Sequence, residues 1–165
     1  MMESKIEGVE IVEYPVIHDD RGSLHEFLNT GSDRFKSLTD SEDAYPKNIY
    51  CSVTDPLVVK AFHYHEKQTD FFFAAPNSAK TRIVLYDSKA DIVESYYVGE
   101  GCHQIGIRIP CGVHHGWQNM SRSKQSMIIN ASNRAYDYNE PDEIRAPAEG
   151  FVPAHHKFFW GVVNR

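Results

Sequence analysis

Alternation of apolar and polar residues over short stretches is the feature that most constrains the fold of this chain. Successive side chains of a β-strand point to opposite faces, so a period of two with β-branched and aromatic residues predicts half-buried strands. Such segments recur along most of the chain: VEIVEYPVI, NIYCSV, LVVKAFHYH, FFFAA, TRIVLYD, DIVESYYV, HQIGIRI and QSMIINAS. The sequence therefore predicts an all-β protein.

Residues that favour turns separate these predicted strands. The breaks are Asp19-Asp20-Arg21-Gly22, Asp55-Pro56, Pro76-Asn77, Gly99-Glu100-Gly101 and Pro110-Cys111-Gly112. Many short strands at nearly regular spacing favour a sandwich or barrel. Only Ser32 to Leu38 and His155 to Trp160 suit short helices. We expect one domain over residues 1–165, with a tail from about residue 140 that packs on the sandwich or on a partner subunit.

Composition argues against several classes of partner. The chain has 165 residues and a net charge of −6, so it has no excess of positive charge to attract nucleic acid. No stretch reaches the roughly 20 apolar residues of a membrane span, and MMESKIEGVE lacks the apolar core of a secretory signal. We expect a cytoplasmic protein. Its three cysteines form no CxxC pair and are predicted to be reduced and mostly buried.

Two segments about fifty residues apart carry the residues best suited to chemistry. His63 and His65 share one face of a strand because they are two residues apart. Asp70 lies across a short turn on the next strand, and His115 could add a third imidazole from the strand after Pro110-Cys111-Gly112. Three imidazoles and a carboxylate form a ligand set that suits zinc, iron, nickel or manganese.

These segments resemble the two motifs of the cupin superfamily. The first motif, HxH followed by three or four residues and an acid, is matched by His63, His65 and Asp70; the second, PxG-x2-H-x3-N, is matched by Pro110, Gly112, His115 and Asn119. The resemblance implies the double-stranded β-helix of cupins, a jelly-roll sandwich, with short peripheral helices.

A narrower resemblance covers most of the chain. IHDDRGSLHEF, VVKAFHYH and RIPCGVHHGW are similar, in family order, to the D-x-R-G-x-F-x-E, V-L-R-G-L-H-Y-Q and I-P-x-G-x-A-H-G-F motifs of the dTDP-4-dehydrorhamnose 3,5-epimerases. Members of that family are dimeric cupins that exchange protons beside the ketone of nucleotide-linked 4-keto-6-deoxysugars without a metal. The resemblance implies an epimerase or isomerase of polysaccharide biosynthesis that binds a nucleotide sugar and forms a homodimer.

The resemblance also implies roles for single residues. His63 falls at the position of the proton-abstracting histidine. Lys60 replaces an arginine that holds a phosphate, which keeps the charge but loses the planar fork. The residues expected to bind substrate are Arg21, Glu26, Ser52, Lys60 and Asn119.

Other positions depart from the family pattern. Leu24 replaces an aromatic residue, Asp70 replaces a lysine, and Ile129 or Asn130 stands where the tyrosine acid is expected. The C-terminal aspartate that orients the histidine has no clear counterpart in EIRAPAEG. The expected replacements are Tyr138, as the second catalytic residue, and Tyr136 or Asp142.

Two interpretations of the pocket stay open at this point. With a metal on His63, His65, Asp70 and His115, His63 is a ligand, and another group, such as His114, Glu66 or Tyr64, moves the proton. Without a metal, His63 is the base. The alternatives to a nucleotide-sugar epimerase are a metal-dependent cupin enzyme of another class (isomerase, lyase or dioxygenase) and a non-catalytic sugar-binding cupin.

Overall fold

The regular secondary structure of the described residues is almost entirely β-strand, which confirms the all-β prediction. The computed structural model describes residues 2–29, 31–32 and 46–161. The strands are β1 Glu10–Glu13, β2 Val16–Asp19, β3 Gly22–His25, β4 Asn48–Thr54, β5 Val59–Tyr64, β6 Asp70–Ala74, β7 Thr81–Asp87, β8 Ile92–Val98, β9 Ile105–Ile109, β10 His114–Asn119, β11 Ser126–Ser132 and β12 Ile144–Arg145. A short 3-10 helix, Ala154–His156, follows.

Two five-stranded sheets form a sandwich. The strand order is β1-β9-β6-β11-β4 in the first sheet and β12-β5-β10-β7-β8 in the second, and β2 and β3 form a separate hairpin. All of the paired strands are antiparallel. The central strands β6 and β10 are buried along their whole length, so residues that they carry toward the interior are shielded from water.

The main core lies between the sheets and follows the period of two. On β7, Ile83 and Leu85 belong to this core, whereas Val84 and Tyr86 belong to a second cluster on the other face. On β6, Phe72 faces the core. Removing such large apolar side chains from water supplies most of the stabilisation of a sandwich.

Each sheet also has an outer face that a terminal part of the chain covers. Tyr14 and Phe27 pack on Phe71 and Phe73 of β6. On the second sheet, Phe62, Val84 and Tyr86 are covered by the segment 146–161, whose packing residues are Ala146, Phe151, Val152, Phe158 and Trp160. Apolar residues on both faces of these strands are therefore buried.

An extra residue in β5 changes which of its residues share a face. His63 pairs with His115 and Lys60 pairs with Trp117, so the two residues between them on β5 lie opposite the single residue Gly116 on β10. A β-bulge of this kind re-aims the side chains beside it. Gly116 lies in the irregular stretch, where a Cβ atom would meet the Ala61 side chain and would come within 2.8 Å of the Lys60 carbonyl oxygen. The bulge depends on this close approach of β10 to β5.

Some predictions of local structure need correction. VEIVEYPVI forms two strands, because the chain leaves the sheet at Tyr14 and Pro15, and proline has no N–H for a ladder. The predicted helix from Ser32 to Leu38 falls, beyond Ser32, outside the described residues. Near the C-terminus, only the 3-10 turn Ala154–His156 forms. No helix of the described residues is long and apolar enough to cross a membrane.

The prediction of mostly buried cysteines is wrong. Cys51 lies exposed on the edge strand β4, Cys111 is exposed in the turn before β10, and Cys102 is intermediate. All three are free thiols. Their positions at an edge and in turns outweigh the general tendency of free cysteine to be buried.

Candidate active site

Four titratable side chains converge at one end of the sandwich. His63 and His65 come from the end of β5, Asp70 begins β6, and His115 lies on β10 opposite His63. Their nitrogen and oxygen ligand atoms all lie within 4.8 Å of one another. The structure therefore brings together the four residues that the sequence predicted as a metal site.

Backbone carbonyls set the orientation of two of the imidazoles. Nδ1 of His115 donates to the Val113 carbonyl oxygen at 2.9 Å, and Nδ1 of His65 contacts the Asp142 carbonyl oxygen. A carbonyl oxygen only accepts hydrogen bonds, so the proton of each neutral ring is assigned to Nδ1. In the neutral form of each ring, Nε2 presents a lone pair toward the cluster, which is the arrangement found in metal-binding histidines.

One oxygen of Asp70 has amide donors and the other has none. Oδ1 accepts from Gln68 at 2.7 Å and from Asn130 at 2.8 Å. Oδ2 lies 3.2 Å from Nε2 of both His65 and His115. Oδ2 and the His115 Nε2 are fully buried and have no hydrogen-bond partner among the described residues when the ring is neutral. A lone pair facing a carboxylate oxygen requires a proton or a metal cation between them.

The protonation of the cluster follows from burial and mutual contact. Burial alone would raise the pKa of Asp70, but hydrogen bonds and charge from His115 and His65 hold it well below its usual range. Burial lowers the pKa of His65, yet its hydrogen bond with Asp70 and the charge of Asp70 outweigh burial and raise it. Burial, then repulsion from His115 and His65, lowers the pKa of His63 to about 2. His63 is therefore neutral at ordinary pH and keeps a lone pair that can accept a proton or bind a metal.

A cavity of about 690 Å³ opens over His63 and His65. Its walls include the phenols Tyr50, Tyr136 and Tyr138. Burial and then the charge of Asp70 raise the pKa of Tyr50 to about 12, so its hydroxyl is protonated and can donate. The cavity combines the neutral imidazole of His63 with the protonated phenol of Tyr50, and it is large enough for a small ligand.

Solved structures share this architecture. A dTDP sugar isomerase from Desulfovibrio desulfuricans matches with a TM-score of 0.75 at 23% identity, covering 94% of this chain and 92% of that one. A dTDP-6-deoxy-D-glucose-3,5-epimerase from Legionella pneumophila, solved in complex with dTDP-4-keto-L-rhamnose, gives 0.78 at 16% identity over 99% and 84% of the two chains. At these identities the likeness shows the fold, and it confirms the predicted cupin jelly roll.

Comparison with known sequences identifies the family. No protein-family model matches the chain. A probable low-salt glycan biosynthesis epimerase of Haloferax volcanii is 33% identical over 148 residues, which cover 86% of this chain and 88% of that protein. The chain belongs to the dTDP-4-dehydrorhamnose 3,5-epimerase-like family. The predicted isomerase class is confirmed at this level.

The residues expected to bind substrate in an epimerase-like protein do not gather at the cavity. Arg21 pairs with Asp19 at the tip of the β2–β3 hairpin. Lys60 donates to Ser52 at 3.0 Å and to the Val53 carbonyl at 2.8 Å. None of the five residues predicted to bind substrate lines the cavity: Arg21, Glu26, Ser52, Lys60 and Asn119.

Asn119 and Tyr138 occupy contrasting positions. The Asn119 amide nitrogen donates to the carbonyls of Thr54, Asp55 and Lys124, and its oxygen accepts from the Ser121 N–H. It is fully buried and fully hydrogen-bonded, so it fixes loops. Tyr138 lines the cavity, where it is 88% exposed and lies 4.9 Å from the Tyr136 ring.

The structure gives Asn130, Tyr50 and Asp142 roles that the epimerase motifs did not indicate. Asn130 holds Asp70 and also donates to the Tyr50 hydroxyl at 2.9 Å. The Asp142 carboxylate accepts from the N–H groups of Glu66, Lys67 and Gln68 at 2.8–2.9 Å, while its carbonyl contacts His65. Tyr50 could have been found from the sequence, because it lies two residues before Ser52 on a predicted strand and therefore shares its face. No local pattern indicates the role of Asp142.

Proposed function

We propose that this protein is an epimerase or isomerase of a nucleotide-linked 4-keto-6-deoxysugar in polysaccharide or glycan biosynthesis. The observation that carries the proposal is the imidazole of His63 at a cavity that is also lined by the phenols of Tyr50, Tyr136 and Tyr138. Family membership supports the same class of reaction. The nucleotide-sugar ligand of the Legionella relative supports the substrate class.

The chemistry requires one base and one acid. A ring nitrogen of His63 removes the proton on the carbon next to the ketone, and the electron pair of the broken C–H bond moves into an enolate. Tyr50 or Tyr138 then donates a proton to the enolate. Return of the proton to the opposite face of the same carbon inverts the configuration of that carbon. Return of the proton to the other carbon of the enediol moves the ketone to the neighbouring position. The cavity supports both outcomes.

A metal-dependent activity at the same cavity is the second candidate. It is supported by the donor set: buried Oδ2 of Asp70 and Nε2 of His115 face each other without a hydrogen-bond partner among the described residues. His63, His65, Asp70 and His115 would hold zinc, iron, nickel or manganese. A bound ion would act as a Lewis acid on a substrate oxygen, and His63 would then be a ligand and no longer the base.

We also propose a homodimer that works in the cytoplasm. Ile49 and Val53 are exposed on the edge strand β4, and Ile17 and Leu24 are exposed on the β2–β3 hairpin. Exposed apolar residues on an edge strand favour pairing with another chain. The free and partly exposed cysteines suit a reducing compartment.

Deuterium exchange tests the proposed reaction. The protein is incubated in deuterium oxide with dTDP-, GDP- or UDP-linked 4-keto-6-deoxysugars, and mass spectrometry measures uptake beside the ketone. We expect uptake with at least one substrate and its loss in His63→Asn. Absence of uptake with all three would refute the proposal.

Metal content separates the two candidates. Protein purified without a metal-affinity step is compared with His65→Gln by elemental analysis, and exchange is repeated after chelation. Stoichiometric metal in the wild type, lost in the variant, together with exchange that stops on chelation, would favour the metal-dependent activity. Exchange that persists without metal would favour His63 as the base.

A further inference from the structure

A second group of metal-ligating side chains lies on the surface, away from the residues that line the cavity. Asp91 is in the turn between β7 and β8, and His155 and His156 are in the 3-10 helix of the C-terminal segment. Nε2 of His155 is 2.8 Å from Asp91 Oδ2, and Nε2 of His156 is 2.8 Å from Oδ1. One ligand atom from each residue lies within 4.8 Å of the others.

We propose that Asp91, His155 and His156 form a surface site for zinc or a similar divalent transition metal, which fastens the C-terminal segment to the sandwich. Two imidazole nitrogens and one carboxylate oxygen are a common zinc donor set. In a tetrahedral site with bonds of about 2.0–2.2 Å, neighbouring donor atoms lie about 3.3 Å apart. The present distance of 2.8 Å between each Nε2 and its carboxylate oxygen is about half an ångström shorter than this, so these two separations would widen when an ion binds.

The surroundings allow an ion to enter. The side chains of His155 and Asp91 are 61% and 46% exposed, so they can adjust, and water can fill the fourth position. Tyr86 donates to Asp91 Oδ1 at 3.1 Å and holds the carboxylate in the direction of the two rings. Outer-shell contacts of this kind orient ligands.

The site would join two parts of the molecule that apolar packing already brings together. Phe151 packs on Tyr86, which is on the strand before Asp91. Lys157, next to His156, is exposed. Binding of an ion should hold this stretch against the β7–β8 turn and reduce its access to proteases.

Zinc titration of the metal-free, full-length protein tests the site. Equivalents bound are measured by calorimetry for wild type, Asp91→Asn, His155→Ala and the control His103→Ala, which removes an exposed histidine from the turn before β9. We expect Asp91→Asn and His155→Ala to bind one equivalent fewer than wild type and His103→Ala. Any zinc at the His63 cluster is common to all four proteins and cancels in the comparison. Equal numbers of equivalents would overturn the proposal.

Limited proteolysis gives a second readout that is independent of the cavity. Trypsin cuts after Lys157, and the rate is measured with and without zinc in the same four proteins. We expect zinc to slow the cut in wild type and His103→Ala and to have no effect in Asp91→Asn and His155→Ala. A wild-type rate unchanged by zinc would contradict the fastening role.

Discussion

At the scale of single residues, the chemistry of the candidate site depends on which group holds each proton. His65 and Asp70 favour an ion pair, whereas His63, next to them, stays neutral. Only a neutral imidazole can accept a proton from substrate or bind a metal. The neighbours of His63 thus keep it neutral, which suits a metal ligand, whereas its role as a base requires bound substrate to raise this low pKa toward the working pH.

The low pKa of His63 predicts a specific dependence of stability on pH. In the unfolded chain the ring binds a proton below about pH 6.5, whereas in the folded protein it does so only near 2. The unfolded state therefore binds more protons in this window, and His63 makes the free energy of unfolding fall by up to about 1.4 kcal/mol per pH unit as pH decreases. In His63→Gln this fall should be shallower.

Urea unfolding, followed by tryptophan fluorescence between about pH 4 and 7, measures the slope. His103→Gln serves as the control, because it removes an exposed histidine from the turn before β9. Coincident slopes for wild type and His63→Gln would mean that His63 titrates normally, which would contradict the description of the site.

Asp142 is predicted to act as a positioning residue. Asp142→Ala removes the acceptor of three N–H groups in the β5–β6 turn and loosens the carbonyl that contacts His65. We expect a loss of about 1–3 kcal/mol in the free energy of unfolding and a fall of about tenfold or more in kcat for exchange.

Asp137→Ala is the matched control, because Asp137 also lines the cavity but accepts N–H groups only from Asn139 and Glu140 in its own turn. Deuterium exchange and urea unfolding are measured for both variants. Similar effects of the two substitutions would assign the change to lost negative charge at the cavity instead of to positioning.

Local sequence patterns predicted the centre of the site but not its supports. The i, i+2 spacing of His63 and His65 and the following acid Asp70 needed only the alternation of one strand and the short connection to the next strand. Asp142 contacts the β5–β6 turn from more than seventy residues away, so its role depends on the path of the C-terminal segment. The motif match predicted that Lys60 binds substrate. In the structure, the Lys60 ammonium group donates a hydrogen bond to the Ser52 hydroxyl.

At the scale of elements, the irregular pairing of β5 with β10 positions His63 opposite His115. The close approach at Gly116 leaves no room for a larger residue. Gly116→Ala should therefore destabilise the protein by about 1–3 kcal/mol through overpacking. Gly31→Ala is the control, since among the residues that the structure describes its Cβ would meet only the Asn29 side chain, at an ordinary 3.5 Å. If wild type and Gly116→Ala had equal midpoints of urea unfolding, β5 and β10 could move apart without loss of stability, which would contradict the prediction.

The individual strands also show which elements can be predicted from the alternation of apolar and polar residues. TRIVLYD predicted β7 with its observed bounds, because its two faces pack into two separate clusters. The two-residue strand β12 has no alternation to detect and exists only because Ile144 and Arg145 run beside β5. Strands defined by a partner distant in sequence were beyond prediction from local patterns.

At the scale of the whole molecule, the exposed edge β4 is predicted to lie in a dimer interface. Ile49 is 68% exposed there. Ile49→Lys should leave the fold intact and shift the protein to a monomer, because a charge on an edge strand opposes pairing. Light scattering after size-exclusion chromatography measures the mass, with Tyr97→Lys on the other sheet's edge strand β8 as the control. A monomeric wild type, or a dimer that persists in Ile49→Lys, would contradict this interface.

The apolar cover on β5 and β7 has a consequence for synthesis on the ribosome. Phe62, Val84 and Tyr86 emerge long before Phe151, Val152 and Trp160, which cover them. Until those last residues leave the exit tunnel, the nascent chain exposes an apolar surface that chaperones can recognise. A transcript cut short before residue 151 would thus yield a polypeptide that has every residue of the histidine cluster and still lacks the cover that keeps the outer face of β5 from water.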